Sequence, residues 1–150
     1  MSKVHLHLGD PDLRLGGLQI WVLGRQFPDS DDYWDGNWLN IHARVQASGA
    51  VVEVQGPWLR NSEIAGFAED LEHVYRELRG DAELKCIEPA LWAKVTYLSL
   101  GHIEMTIKIT PDQPTQDHKF IFEMDQSYLP AVLSDCQKLL DRYPIKDPPG

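Results

Sequence analysis

Residues 39–45 read Leu39-Asn40-Ile41-His42-Ala43-Arg44-Val45, with an apolar side chain at every second position. Successive side chains of a β-strand point to opposite faces, so this alternation predicts a strand with one apolar and one polar face. A strand with one wet face is typical of an antiparallel sheet. The stretch therefore favours an antiparallel sheet that lays its other face on a core.

The rest of the first half predicts further strands and one helix. Alternation recurs at residues 4–8, 18–22 and 52–58, with a turn at Ser48-Gly49. The last of these strands is expected to break near Gly56-Pro57, because proline cannot donate to an interior ladder. Asn61-Ser62 offers an N-cap for a helix that Gly80 would end. This helix would bury one apolar stripe, formed by Ile64, Phe67, Ala68, Leu71, Val74, Tyr75 and Leu78.

The second half repeats this order. Strands are predicted at residues 84–87, 91–100, 103–109 and 120–124, with a hairpin turn at Gly101-His102. The closing helix is expected to be capped by Ser127, to carry Pro130 in its first turn and to end at Pro144. Its apolar stripe is Leu129, Val132, Leu133, Cys136, Leu139, Leu140 and Tyr143. The sequence therefore predicts an α+β fold of mostly antiparallel sheet(s) with seven to eight strands and two amphipathic helices, in the order ββββα-ββββα.

The two helical stripes are related by a shift of 65 positions. Such a shift would arise from duplicated halves, about 1–80 and 81–144, but any two amphipathic helices of equal length share it. Both interpretations stay open. In either case we expect a single domain over residues 1–150, with residues 145–150 as a loose tail.

The chain is acidic, and its composition narrows the classes of partner and compartment. It has 23 Asp and Glu against 14 Lys and Arg, for a net charge of -9, which argues against nucleic acid as a direct ligand. The start lacks the apolar core of a signal peptide, and no apolar stretch approaches the roughly 18 residues of a membrane span. We therefore expect a cytoplasmic protein without membrane contact, in which Cys86 and Cys136 stay thiols and Cys136 packs in the core.

Residues with metal-binding or catalytic chemistry do not assemble into a recognisable motif. Taking Asp31 as the first position of a calcium loop places Tyr33 and His42 where oxygen ligands belong. His5-x-His7 has metal-ligand spacing, but no third ligand can be assigned. The sequence contains no G-x-S-x-G, no H-E-x-x-H and no glycine-rich nucleotide motif. We therefore expect a binding protein with no catalytic residues, no metal and no cofactor, the alternative being a small-molecule-binding or hydrolytic α+β domain.

Acidic and aromatic residues are most concentrated at residues 29–37. Protein interfaces combine aromatic anchors with charges that steer the partner. The candidate partner-binding residues are Asp29, Asp31, Asp32, Tyr33, Trp34 and Asp35. Trp34 fits a core position equally well, whereas Trp38 and Trp58 are expected in the core. The polar sheet face around His42, Arg44 and Glu104 is the next candidate surface.

Three segments carry a resemblance to a known family: residues 33–39, residues 69–71 and residues 122–144, the last opening with Phe122-Glu123-Met124-Asp125-Gln126-Ser127-Tyr128-Leu129. They look like WapI-type immunity proteins, small cytoplasmic partners of bacterial contact-dependent toxins, and the likeness runs from about Leu15 to Pro144. The resemblance implies binding and neutralisation of a cognate toxin domain, often a nuclease, without catalysis. It leaves open the oligomeric state, and whether Asp35-Gly36-Asn37-Trp38-Leu39 is structural or contacts the toxin. A nuclease needs a basic surface to bind phosphate, and the negative charge of an acidic partner is complementary to that surface.

Overall fold

The computed structural model describes residues 8–146 of the chain. These residues form two four-stranded sheets, two α-helices and one short 3-10 helix. The first sheet contains β1 (Leu13–Leu15), β2 (Leu18–Arg25), β3 (Trp38–Ala47) and β4 (Ala50–Arg60), followed by α1 (Asn61–Glu77). The second contains β5 (Asp81–Leu84), β6 (Leu91–Ser99), β7 (His102–Ile109) and β8 (Lys119–Asp125), followed by the 3-10 turn Gln126–Tyr128 and α2 (Leu129–Arg142). Strands neighbouring in sequence pair antiparallel within each sheet, which confirms the α+β fold and the order ββββα-ββββα.

Both sheets and both helices contribute to one apolar cluster. The apolar face of β3 is fully buried, as its alternation predicts, and Leu71 of α1 and Cys136 of α2 are also 0% exposed. Leu133 is only half-buried at the margin of this cluster. Each helix packs against the first strand of the other half, α1 on β5 and α2 on β1, and the helices also contact each other. Each amphipathic stripe thus buries most of its apolar side chains against other elements. Tyr75 and Leu78, predicted in the α1 stripe, are instead exposed because they lie at its last turn.

Several strand boundaries differ from the sequence prediction. The strand expected at residues 84–87 is Asp81–Leu84, because Ala82 and Leu84 supply the buried positions and acidic neighbours hide the alternation. The three-residue β1 was not predicted, since so short a segment shows almost no period. Val4 to His7, including the His5-x-His7 pair, and tail residues 147–150 lie outside the described residues, and Leu8 is in no strand.

The predicted break near Gly56-Pro57 is confirmed in the pairing, where Pro57 and Trp58 have no partner on β3, but not in the strand itself. Strand β4 continues through both residues, with a register shift opposite Asn40. A bulge leaves extra residues unpaired, and β4 pairs only with β3 among the described strands, so the missing N–H of Pro57 is tolerated.

The helix ends and the tight turn are also built differently from the prediction. The backbone N–H of Arg60 donates to Glu63 Oε1 at 2.8 Å, so Arg60 is the N-cap of α1 in place of Asn61 or Ser62. The helix ends at Glu77, before Gly80, and its C-cap Leu78 has a left-handed φ of 54°. The Asp125 carboxylate, not Ser127, caps the 3-10 turn by accepting the Ser127 N–H at 2.8 Å. The β6–β7 turn comprises Leu100 and Gly101, both with positive φ, as a tight hairpin requires.

The two halves share backbone hydrogen bonds in addition to strand order. The Leu78 N–H donates to Val74 O, and 65 positions later the Tyr143 N–H donates to Leu139 O. At the start of each helical segment, Asn61 N–H donates to Asn37 O and Gln126 N–H to Gly101 O. The first half therefore carries a long loop where the second half has the tight β6–β7 turn. Duplication of the halves stays a prediction, because a bond from an N–H to the carbonyl four residues earlier occurs at the end of many helices.

Candidate functional site: an acidic loop around Trp34

The loop of residues 26–37, hereafter the acidic loop, joins β2 to β3 beside the start of α1. Its side chains Asp29, Asp31, Asp32 and Asp35 are all exposed. Trp34 is 66% exposed, so it is not a core residue, and Tyr33 is half-buried. The fold therefore places all six candidate residues on one loop, with their charges and one large aromatic ring at the surface.

The backbone of the acidic loop is held by its own side chains. Asp32 Oδ2 accepts the N–H groups of Trp34 and Asp35, each at 3.0 Å. A Cβ on Gly36 would lie 2.6 Å from the carbonyl oxygens of Asp32 and Ser30, so only glycine fits there. Asp32 consequently has a structural role, unlike the other three acids.

Asn37 connects the acidic loop to the far end of the chain. It is fully buried; its Nδ2 donates to Tyr33 O at 2.7 Å and to Lys146 O at 3.0 Å. Its Oδ1 accepts from the Lys146 N–H at 2.8 Å and from Asn61 Nδ2 at 3.2 Å. Within Asp35-Gly36-Asn37-Trp38-Leu39, Gly36 and Asn37 therefore shape the loop, and Leu39 lies in the core.

Basic side chains near the loop bind its carbonyl groups and leave its carboxylates free. Lys146 Nζ donates to Pro28 O and Ser30 O, each at 2.8 Å, and Arg25 Nη1 donates to Gly36 O at 2.7 Å. Across residues 8–146, no ion pair involves any of the four acidic side chains of the loop. The negative charge of the loop is therefore available to an external cation.

Arg60 supports the aromatic part of the loop and was not singled out from the sequence. It is 5% exposed, and its Cζ lies 5.1 Å, 5.3 Å and 5.5 Å from the ring centroids of Tyr33, Trp34 and Trp38. Its Nη2 donates to Tyr33 O at 3.0 Å. Trp38 is half-buried beside Arg60, and Trp58 is half-buried against the core. No local pattern marks Arg60, because its ring partners in the acidic loop are distant in sequence.

An acidic groove of about 430 Å³ adjoins the loop between α1 and β5. Its lining includes Tyr33, Glu63, Glu69, Asp70, Glu83 and Lys85. Burial raises the pKa of Glu63, although hydrogen bonds from the N–H groups of Arg60 and Ile87 oppose this shift. Glu83 accepts the Trp92 indole N–H at 2.8 Å. Tyr33 belongs to both features, so the acidic surface continues from the loop into the groove.

The next candidate surface does not form a single face. His42 and Arg44 lie on β3 of the first sheet, whereas Glu104 lies on β7 of the second. His42 is only 9% exposed and contacts Gln55 and Glu53. Polar positions of different strands look alike in the sequence. Only the pairing of the strands shows that His42 and Arg44 belong to one sheet and Glu104 to the other.

Other groups with possible chemistry are not brought together. Among residues 8–146, no three His, Cys, Asp or Glu side chains are placed to hold a metal ion. Burial raises the pKa of the Cys136 thiol to about 12 and also raises that of Cys86. Within the same residues, both helices fall short of the length and apolarity that a bilayer span demands.

The model of the Immunity protein WapI-like family matches residues 11–144, which include both sheets, both helices and the acidic loop. Searches of curated proteins and of solved structures found no match. Because the family model spans most of its length, the chain belongs to the Immunity protein WapI-like family.

Proposed function

We propose that this chain neutralises a cognate bacterial toxin domain by stoichiometric binding, without catalysis, and that the acidic loop is its docking surface. Trp34 carries the proposal: it is 66% exposed on a loop whose backbone is held on both sides. An exposed ring on a fixed backbone has the properties of an interface anchor, because little freedom is lost when it is covered.

The charges of the loop indicate the chemistry of the partner. Asp29, Asp31 and Asp35 are exposed and unpaired with any cation in the described part of the chain. They would attract a basic surface, and the neighbouring groove adds further carboxylates. A nuclease toxin has such a surface because it binds phosphate, and an acidic protein would compete for it in the cytoplasm.

The experiment measures binding to the toxin domain encoded beside the gene for this chain. The test variant replaces Asp29, Asp31 and Asp35 by Asn and leaves Asp32 unchanged, because Asp32 holds the loop backbone. The control variant removes three negative charges elsewhere, through Asp112→Asn, Asp117→Asn and Glu123→Gln, all exposed on the β7–β8 loop or on β8.

The loop variant should associate severalfold more slowly at low salt, and the difference should shrink as salt rises, since charges act over a Debye length of about 8 Å at physiological salt. The control should associate at nearly the wild-type rate. Trp34→Ala should mainly speed dissociation, with a loss of about 2 kcal/mol or more in binding free energy. Unchanged association of the loop variant at low salt would show that the acidic loop is not the docking surface.

The alternative, a small-molecule-binding or hydrolytic domain, would use the groove between α1 and β5. The gene neighbourhood separates the two functions: a large secreted toxin gene upstream supports neutralisation, and a metabolic operon supports the alternative.

A further inference from the structure

We propose that Arg60 is a positioning residue for Trp34, which it holds in the binding orientation before a partner arrives. This inference rests on the proposed function, in which Trp34 is the anchor of the docking surface. Arg60 itself is 5% exposed and therefore offers almost no surface to a partner. Its effect on binding must pass through the side chains that it contacts.

The contacts of Arg60 reach both aromatic residues of the acidic loop. Its guanidinium carbon lies 5.1 Å from the Tyr33 ring centroid and 5.3 Å from that of Trp34, within the range of a cation–π interaction. The Tyr33 and Trp34 rings meet edge to face, with centroids 5.2 Å apart. Arg60 also fixes the backbone beneath them through its hydrogen bond to Tyr33 O.

Arg60 is itself held rigidly by secondary structure. It is the last residue of β4 and pairs with Trp38 of β3, and its N–H donates to Glu63 Oε1. Among the described residues, no carboxylate lies within ion-pair distance of its guanidinium, and its Nε has no hydrogen-bond partner. A buried cation without an ion pair is expensive unless other groups compensate it. The aromatic rings, Tyr33 O and the electrostatic attraction of the nearby Glu63 carboxylate serve that purpose.

The consequence is an aromatic anchor that is ordered in advance. The backbone N–H of Trp34 donates to Asp32, and the Trp34 ring contacts Arg60 and Tyr33. The residue is nevertheless 66% exposed. Ordering a side chain before binding saves the entropy that binding would otherwise remove. Loss of the Arg60 guanidinium should therefore weaken toxin binding by about two- to twelvefold, although no toxin contact is removed.

A double-mutant cycle with the same toxin domain tests whether Arg60 acts through Trp34. Arg60→Met keeps the aliphatic stem and removes the charged group. In the wild-type background this change should raise Kd, and in the Trp34→Ala background it should have no further effect. Equal effects in both backgrounds would overturn the inference, because Arg60 would then act on binding independently of Trp34.

A second measurement needs no toxin, and its first arm uses only the wild-type protein. In the free wild-type protein, ¹⁵N relaxation of the Trp34 indole N–H should give an order parameter near that of Trp21, which is 5% exposed. In Arg60→Met, where folded, the value for Trp34 alone should fall. A wild-type value below about 0.6, typical of a flexible group, would overturn the inference.

The two proposals fail differently. If Trp34→Ala binds the toxin as tightly as wild type, the acidic loop is not anchored by Trp34 and the proposed docking surface fails. The comparison of Trp34 relaxation between wild type and Arg60→Met still decides independently whether Arg60 orders the ring.

Discussion

Replacing Asn37 by Ala should destabilise the protein without acting directly on partner binding. Asn37 is 0% exposed and makes four side-chain hydrogen bonds, one to Tyr33 within the acidic loop and three that join the loop to Asn61 and Lys146. The variant therefore tests whether Asp35-Gly36-Asn37-Trp38-Leu39 stabilises the fold or contacts a toxin.

The size of the effect follows from which partners lose their bonds. Asn61 Nδ2 keeps the carbonyl oxygens of Tyr143 and Pro144, and Tyr33 O keeps Arg60 Nη2, so these groups stay paired. The N–H and C=O of Lys146 lose the bonds that Asn37 gives them, and Lys146 is half-buried. At about 1–3 kcal/mol for each buried group left unpaired, two such groups predict a loss of about 2–4 kcal/mol, because water restores part of the bonding.

Urea unfolding followed by circular dichroism measures this loss as a change in the free energy of unfolding. Asn40→Ala is the matched control, since Asn40 lies on the adjacent strand and makes no side-chain hydrogen bond within residues 8–146; it should lose less than about 1 kcal/mol. The melting temperature of Asn37→Ala should fall by about 4–16 °C. If Asn37→Ala is as stable as the control but binds the toxin domain more weakly, the structural role assigned to Asn37 is wrong.

Three further predictions concern the core and its titrating groups. Leu71→Ala should lower the free energy of unfolding by about 2–5 kcal/mol, and the half-buried Leu133→Ala by less, as measured by urea unfolding. Burial raises the pKa of Glu63, so the native state holds this proton more tightly than the unfolded chain; its stabilising contribution is present below the unfolded value of about 4.5 and is lost as pH rises through the folded value. The stability of wild type relative to Glu63→Gln should therefore decline as pH rises above about 4.5 in urea titrations at a series of pH values, and a flat difference would contradict it. Because burial raises the pKa of Cys136 to about 12 and also raises that of Cys86, both thiols should react slowly with a disulfide reagent at pH 8 in native protein and quickly in urea; fast native reaction of Cys136 would contradict its burial.

The periodicity of apolar residues correctly predicted the helices and strands that are long enough to show a repeating pattern. The alternation of residues 39–45 and most positions of both helical stripes are confirmed, because burial of one face gives the sequence a matching period. The end of the α1 stripe is wrong, since Tyr75 and Leu78 are exposed. Prediction was weakest for short or irregular segments. The three residues of β1 and the four of β5 are too few to show a period, and a bulge at an edge strand accommodates Pro57.

The sequence by itself also determined that acids and aromatic rings are concentrated at residues 29–37, since composition is read directly. Only the tertiary structure decided the role of each residue there. Asp32 and Asp29 look alike in sequence and both are exposed, yet only Asp32 accepts the backbone N–H groups of Trp34 and Asp35. The physical reason is that the deciding contacts join segments separated in sequence. Pairing of β4 with β3 places Arg60 beside the loop that carries Trp34, and the segment after α2 places Lys146 beside Asn37.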